Sequence, residues 1–143
     1  MYRNYFYLLR SINDLIPYLI DATITDIYSQ EKDKLFFKIP NIDFPERHLI
    51  ISTNPNSTYI FVKNSHFKAK KNVMQIFNSA LCEKIRNIQI AENDRIIKFE
   101  LDNSWIYFSI RGNKTNIFLM DENDDFFSFK KTNALNVNYE LEQ

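Results

Sequence analysis

Apolar residues recur at helical spacing near the N-terminus: Phe6, Leu9, Ile12, Ile16, Leu19 and Ile20 share a face, while Arg3, Arg10, Asn13 and Asp14 fall largely on others. A core-facing helix is predicted. Pro17 would cost about 3 kcal/mol in a helix interior, so either the helix kinks there or a second short helix starts at Asn13 or Asp14, with Pro17 in its first turn. From Thr23 the pattern changes, and TITDIY, the polar SQEKD and KLFFKI read as strand, turn, strand. His48 to Thr53 and Thr58 to Lys63 form another pair around Asn54-Pro55-Asn56. Between Lys70 and Glu83 the helical period returns, with Val73, Ile76, Phe77, Ala80 and Leu81 on one face, and predicts a second helix.

Further strands are predicted near 85–91, 95–102, 105–111, 115–120 and 126–130. Their connections are Glu92-Asn93-Asp94, Asp102-Asn103-Ser104, Gly112-Asn113 and Asp121 to Asp125. Strands joined by such short turns pair antiparallel, so the class is α+β: mainly antiparallel sheets packed face to face, with two helices at the side or end. Thr132 to Gln143 is polar and lacks a strong period. It reads as a truncated linker or the start of another region, leaving one domain over 1–131.

Length agrees with that. A chain of 143 residues buries about two thirds of its unfolded surface and needs neither disulfide nor metal to fold. Aromatic residues make up 15% of it, which favours strands and a sizeable core over disorder. Lys plus Arg and Asp plus Glu both number 18, so any anion binding has to come from local clustering. Gly112 is the single glycine, which excludes a glycine-rich phosphate cradle and leaves turns to Asn, Asp and Pro. Cys82 stands alone, compatible with a reducing cytosol, and the N-terminal segment has neither a cleavage pattern nor about 20 uncharged residues in a row. A cytoplasmic protein without membrane attachment is expected.

Candidate chemistry is sparse. His48 and His66 lie eighteen residues apart without partners at ligand spacing, and read as surface or strand-edge residues, so no metal is expected. Cys82 has no neighbouring His, no nucleophile elbow occurs, and Asp121, Glu122, Asp124 and Asp125 read as a solvated turn lacking the glycine and distal Glu of a calcium loop. No enzyme activity, cofactor or small-molecule substrate is expected. Trp105 reads as a core or sheet-face residue. Basic residues cluster instead: Lys63, Lys68, Lys70 and Lys71 with Phe67; Lys84 and Arg86; Arg95, Arg111 and Lys114; Lys130 and Lys131. Such groups are ordinary solvated cations or phosphate contacts. Asp94-Arg95, flanked by two alternating strands, is either a turn Asp followed by a solvated rim Arg opening the next strand, or a recognition pair.

Four strings carry a family resemblance by their order and spacing: ITDIYSQEKDKLFFKI at 24–39, LIISTNP at 49–55, KIRNIQIAENDRIIKFEL at 84–101 and RGNKTNIFLMDENDDF at 111–126. The chain resembles the N-terminal domain of the NFACT family, which includes RqcH, NEMF and proteins labelled fibronectin-binding protein A-like. The likeness runs from about Leu8 to Lys131. It implies a fold similar to the N-terminal domain of formamidopyrimidine-DNA glycosylases. It also implies a role in ribosome-associated quality control, with the large ribosomal subunit and tRNA as partners. Asp94-Arg95 matches the family's Asp-Arg dipeptide, which the resemblance ties to tRNA handling. Gly112 and Asn116 match the ends of a Gly-Arg-His-Ser-Asn run, with Asn113 and Lys114 in place of its Arg and His. The implied RNA-binding site is therefore Asp94, Arg95, Gly112, Lys114 and Asn116.

Departures from the family set the alternatives. Its basic Arg-Lys-His stretch falls at Asn78, Ser79 and Ala80, its paired glycines near Cys82 and Glu83, and Ser29-Gln30 replaces Gln-Pro. Fewer cations mean less anion affinity, and the alternative function is a protein-protein interaction module without nucleic-acid binding. The glycosylase reading needs an N-terminal proline amine and adjacent Glu, whereas the chain opens Met1-Tyr2-Arg3. A surface adhesin would need an export signal.

Overall fold

The computed structural model of the chain describes residues 2–91 and 93–130, with side chains from Tyr7 onward. One helix, α1 (Tyr2–Leu19), precedes β1 (Asp26–Glu31), β2 (Lys34–Lys38), β3 (His48–Asn54), β4 (Ser57–Lys63) and a short β5 (Met74–Gln75). After a single 3₁₀ turn at Asn78–Ala80 come β6 (Ile85–Ala91), β7 (Ile96–Leu101), β8 (Trp105–Ser109), β9 (Asn116–Met120) and β10 (Phe126–Ser128). The strands make two five-stranded sheets, ordered β4-β3-β2-β1-β5 and β10-β9-β8-β7-β6, with antiparallel pairing throughout. The nine strands expected from the alternation are all present, within a few residues at their ends.

Alternation also decides which face is dry. Ile27, Leu35, Phe37, Leu49 and Ile51 of the first sheet meet Ile97, Phe99, Ile106, Phe108 and Leu119 of the second in one hydrophobic cluster. Leu8, Ile12 and Leu19 of α1 join it. Each such side chain contributes about 1.5–3 kcal/mol on burial, so the sheets are held face to face chiefly by this shared interior. Pro17 neither ends α1 nor starts a second helix. Its missing hydrogen bond would go to the carbonyl of Asn13, an exposed residue whose carbonyl water can satisfy, and it lies in the last turn. Phe6 and the tail from Thr132 lie outside the described side chains and residues. Among the described residues, no helix is long and apolar enough to cross a membrane.

The second predicted helix does not form. Asn72, Phe77 and Cys82 take φ values of 59°, 58° and 70°, left-handed conformations that would interrupt a helix at each point. Residues 64–73 instead cross the outer face of the first sheet from the β4 edge, and β5 then pairs with β1 at the opposite edge. The apolar positions that imitate a helical stripe serve two different surfaces. Phe77 and Ala80 are buried in the shared core, while Val73 packs on Tyr28, Phe36 and Ile50 of the outer face.

Candidate nucleic-acid interface

Ala91 pairs with Ile96, so residues 92–95 form the β6–β7 turn. Arg95 closes it with φ 54°, a left-handed conformation that costs a residue with a side chain about 1–2 kcal/mol. Asp94 and Arg95 are both half-buried. Because Ile96 lies opposite Ser109, the end of β8 returns to this turn, and the Ile110 N–H donates to the Arg95 carbonyl at 3.0 Å. The following loop, Arg111 and the 3₁₀ turn Gly112–Lys114, therefore sits at the same end of the second sheet. Gly112 has φ 54°, which its missing Cβ permits, and Asn113 and Lys114 are exposed.

The fold thus brings Asp94, Arg95, Gly112 and Lys114 together, and places Asn116 beneath them. Asn116 is 3% exposed; its side-chain amide donates to the Lys130 carbonyl and accepts from the Lys130 N–H, both at 2.9 Å. It shapes the loop's exit and does not face solvent. Lys130 in turn reaches the first sheet, its ammonium 3.1 Å from the Asp33 carboxylate and 3.4 Å from the Thr53 carbonyl.

Beside the turn, Gln89, Ile90, Ala91, Asp94, Ile96, Lys98 and Tyr107 line a shallow groove of about 290 Å³. Gln89, Lys98 and Tyr107 are consecutive cross-strand partners, and the Lys98 ammonium lies 6.0 Å from the Tyr107 ring centroid. Burial pushes the Tyr107 phenol up, so it stays a neutral donor at pH 7. The groove offers amide, ammonium, phenol and carboxylate groups around an aromatic face, suited to the edge of a base or a ribose. Sequence reasoning misses these residues, although the alternation holds the signal: Gln89, Lys98 and Tyr107 have the opposite parity to Ile88, Ile90, Ile97 and Phe99.

The two histidines are not the isolated surface or strand-edge residues that their spacing suggests. His48 is 1% exposed, and its ring lies edge-on to His66 with centroids 5.0 Å apart. Their Nε2 atoms are engaged separately, His48 with the Tyr28 hydroxyl at 2.8 Å and His66 with the Gln30 amide at 3.3 Å. Glu83, to which the sequence assigns no polar role, is 8% exposed and accepts from the Asn103 N–H at 2.6 Å and from Ser104 Oγ, tying the start of β6 to the β7–β8 turn. The Asp121 carboxylate accepts from the N–H groups of Asn123 and Asp125, so the acidic loop is a self-capped turn. Cys82 is exposed, and Trp105 is half-buried on the outer face of the second sheet, opposite Glu100 and Met120. Among the described residues, no three His, Cys, Asp or Glu side chains converge as metal ligands would.

Among the described residues, two antiparallel sheets around one core, one helix at the side and a polar pole made by two loops define a small α+β domain. The chain belongs to the NFACT family: the description "NFACT N-terminal and middle domains" matches residues 4–131. Among solved structures, it is similar to the N-terminal part of a fibronectin/fibrinogen-binding protein from Streptococcus suis, with a TM-score of 0.74 at 19% identity over 92% of this chain and 55% of that one. The N-terminal domain of the fibronectin-binding protein PavA from Streptococcus pneumoniae superposes with a TM-score of 0.71 at 19% identity, over 91% of this chain and 56% of that one. A fibrinogen-binding protein from Staphylococcus aureus gives 0.67 at 17% identity, over 90% and 50%. At such identity the likeness is one of fold, and the chain spans about half the length of these neighbours. No match emerges among curated proteins.

Proposed function

We propose that this domain is an RNA- and ribosome-binding module of ribosome-associated quality control, handling tRNA on stalled large subunits through the pole of Asp94, Arg95, Gly112 and Lys114. Family membership supports the cellular role. The observation that carries the site is the Ile110–Arg95 backbone bond, which joins two sequence-distant loops into one surface. A guanidinium and an ammonium suit phosphate oxygens, and Asp94 can accept from a base or a ribose hydroxyl. A left-handed Arg where Gly or Asn would sit without strain is a place where the side chain is worth its backbone cost. The module acts in the cytoplasm, without cofactor and without chemistry of its own.

Arg95→Gly tests the site cleanly, because it removes the guanidinium while relaxing the left-handed backbone. Co-sedimentation with large subunits and filter binding of tRNA should both weaken, while circular dichroism shows the strand content retained. The slope of log affinity against log salt should become shallower by about 0.7–0.9 for each phosphate that the variant no longer neutralises. Equal binding by variant and parent would remove Arg95 from the site. The second reading, a protein-interaction module, is favoured by the zero net charge and by neighbours named for binding fibronectin or fibrinogen. A flat salt response together with a protein partner would select it.

A further inference from the structure

Between Glu46 and Glu83 the sequence contains no Asp or Glu, yet carries Arg47, Lys63, Lys68, Lys70 and Lys71. In a chain of zero net charge, this is a strong local segregation. Its centre is the strap 64–73 across the outer face of the first sheet, and three anchors hold that strap. The His66 ring stacks on Phe36, with centroids 4.7 Å apart and planes 13° apart. Gln30 bridges Phe67 from below: its carbonyl oxygen accepts from the Ala69 N–H at 2.7 Å, and its amide nitrogen faces His66 Nε2. Lys68 pairs with Asp26 at 3.0 Å and lies 5.0 Å from the centre of the Tyr28 ring.

With His66 and Lys68 turned toward the sheet, the residue between them is turned out, and Phe67 is 71% exposed. Lys63, Lys70 and Lys71 are exposed around it. Phe61 is also exposed on this face; its partner Ile50 lies opposite Phe36, the ring on which His66 stacks. The cations call for a polyanion. A flat ring held in solvent with its neighbours pinned calls for a flat partner, which the bases of an unpaired strand supply and the side chains of an acidic peptide do not.

We infer that the strap is a pre-organised stacking platform for single-stranded RNA, with Phe67 beneath a base and Lys63, Lys70 and Lys71 on the flanking phosphates. It lies on the other sheet from Asp94-Arg95 and stands independently of that site. The test is fluorescence anisotropy with a labelled oligouridylate of about twelve nucleotides, long enough for one platform and its flanks. Phe67→Leu should weaken binding about tenfold, whereas Phe67→Trp should bind as well as the parent or better. Gln30→Ala, which removes a positioning residue that does not itself touch RNA, should weaken binding at unchanged salt slope, and Lys70→Ala with Lys71→Ala should lower the slope. Parent and Phe67→Leu binding alike would overturn the proposal. So would the absence of parental binding, or competition by oligoglutamate equal to that by oligouridylate. Because Arg95 and Phe67 sit on different sheets, a defect confined to Phe67 variants supports the strap whatever Arg95→Gly does to tRNA binding.

Discussion

His48 illustrates how much a single ring can fix. Its Nδ1–H donates to the Glu46 carbonyl at 2.9 Å, so Nε2 is left to accept from the buried Tyr28 hydroxyl. Removing that hydroxyl strands a buried acceptor, and Tyr28→Phe should cost about 1–3 kcal/mol in urea unfolding. Burial lowers the His48 pKa, and burial with the neighbouring His48 lowers that of His66. Folded protein therefore binds fewer protons than unfolded protein just below the ordinary histidine value. The histidine contribution to stability should be complete above about pH 6.5 and shrink as pH falls below it. Thermal melts between pH 7.5 and 5 check the sign, and a melting temperature that rises on acidification would contradict it. Sequence alone could not reveal this pair, because the residues meet only after the strap has crossed the sheet.

Among the elements, those fixed by local chemistry were legible and those fixed by distant parts of the chain were not. The β6–β7 hairpin follows from alternation on both arms and a polar turn, all within eighteen residues at 84–101. Asp94 thus falls in the expected turn, whereas Arg95, expected to open the next strand, is drawn into the turn by its left-handed backbone and β7 starts one residue later. The segment 70–83 misleads because its apolar spacing is helical, while its backbone obeys the sheet edge and the core between the sheets. Cys82 shows the competition directly. Its φ of 70° suits glycine, the residue expected near this position from the family resemblance, and its N–H still donates to the Ile24 carbonyl at 2.7 Å. Cys82→Gly should relieve the left-handed backbone, partly offset by greater freedom of the unfolded chain, for a net gain of about 0.5–1 kcal/mol. Denaturation midpoints of parent and variant measure it, and a loss of stability would show that the thiol contributes packing.

At the scale of the molecule, composition was sufficient to expect one domain with a large core, and strand order with short turns was sufficient for two face-to-face antiparallel sheets. What it could not supply was which loops share a pole. That depends on register: Ile96 opposite Ser109 brings Arg111 to Gly112 beside Arg95, and Asn116 opposite Ser109 sends its own amide inward to Lys130. Of the five residues that the resemblance singles out, four lie around one surface and the fifth supports it.

Lys130 is where the two halves are buttoned together. Its main chain is gripped by a strand of one sheet and its ammonium by a turn of the other, so a shortened protein stopping at Phe129 would keep all ten strands and the Phe129 packing yet lose the fastening. Calorimetry of that shortened form should give a lower, broader transition, and an unchanged one would mean that the interior suffices. Full stability on this account draws on a residue beyond the final strand, one that no hydrophobic pattern would mark.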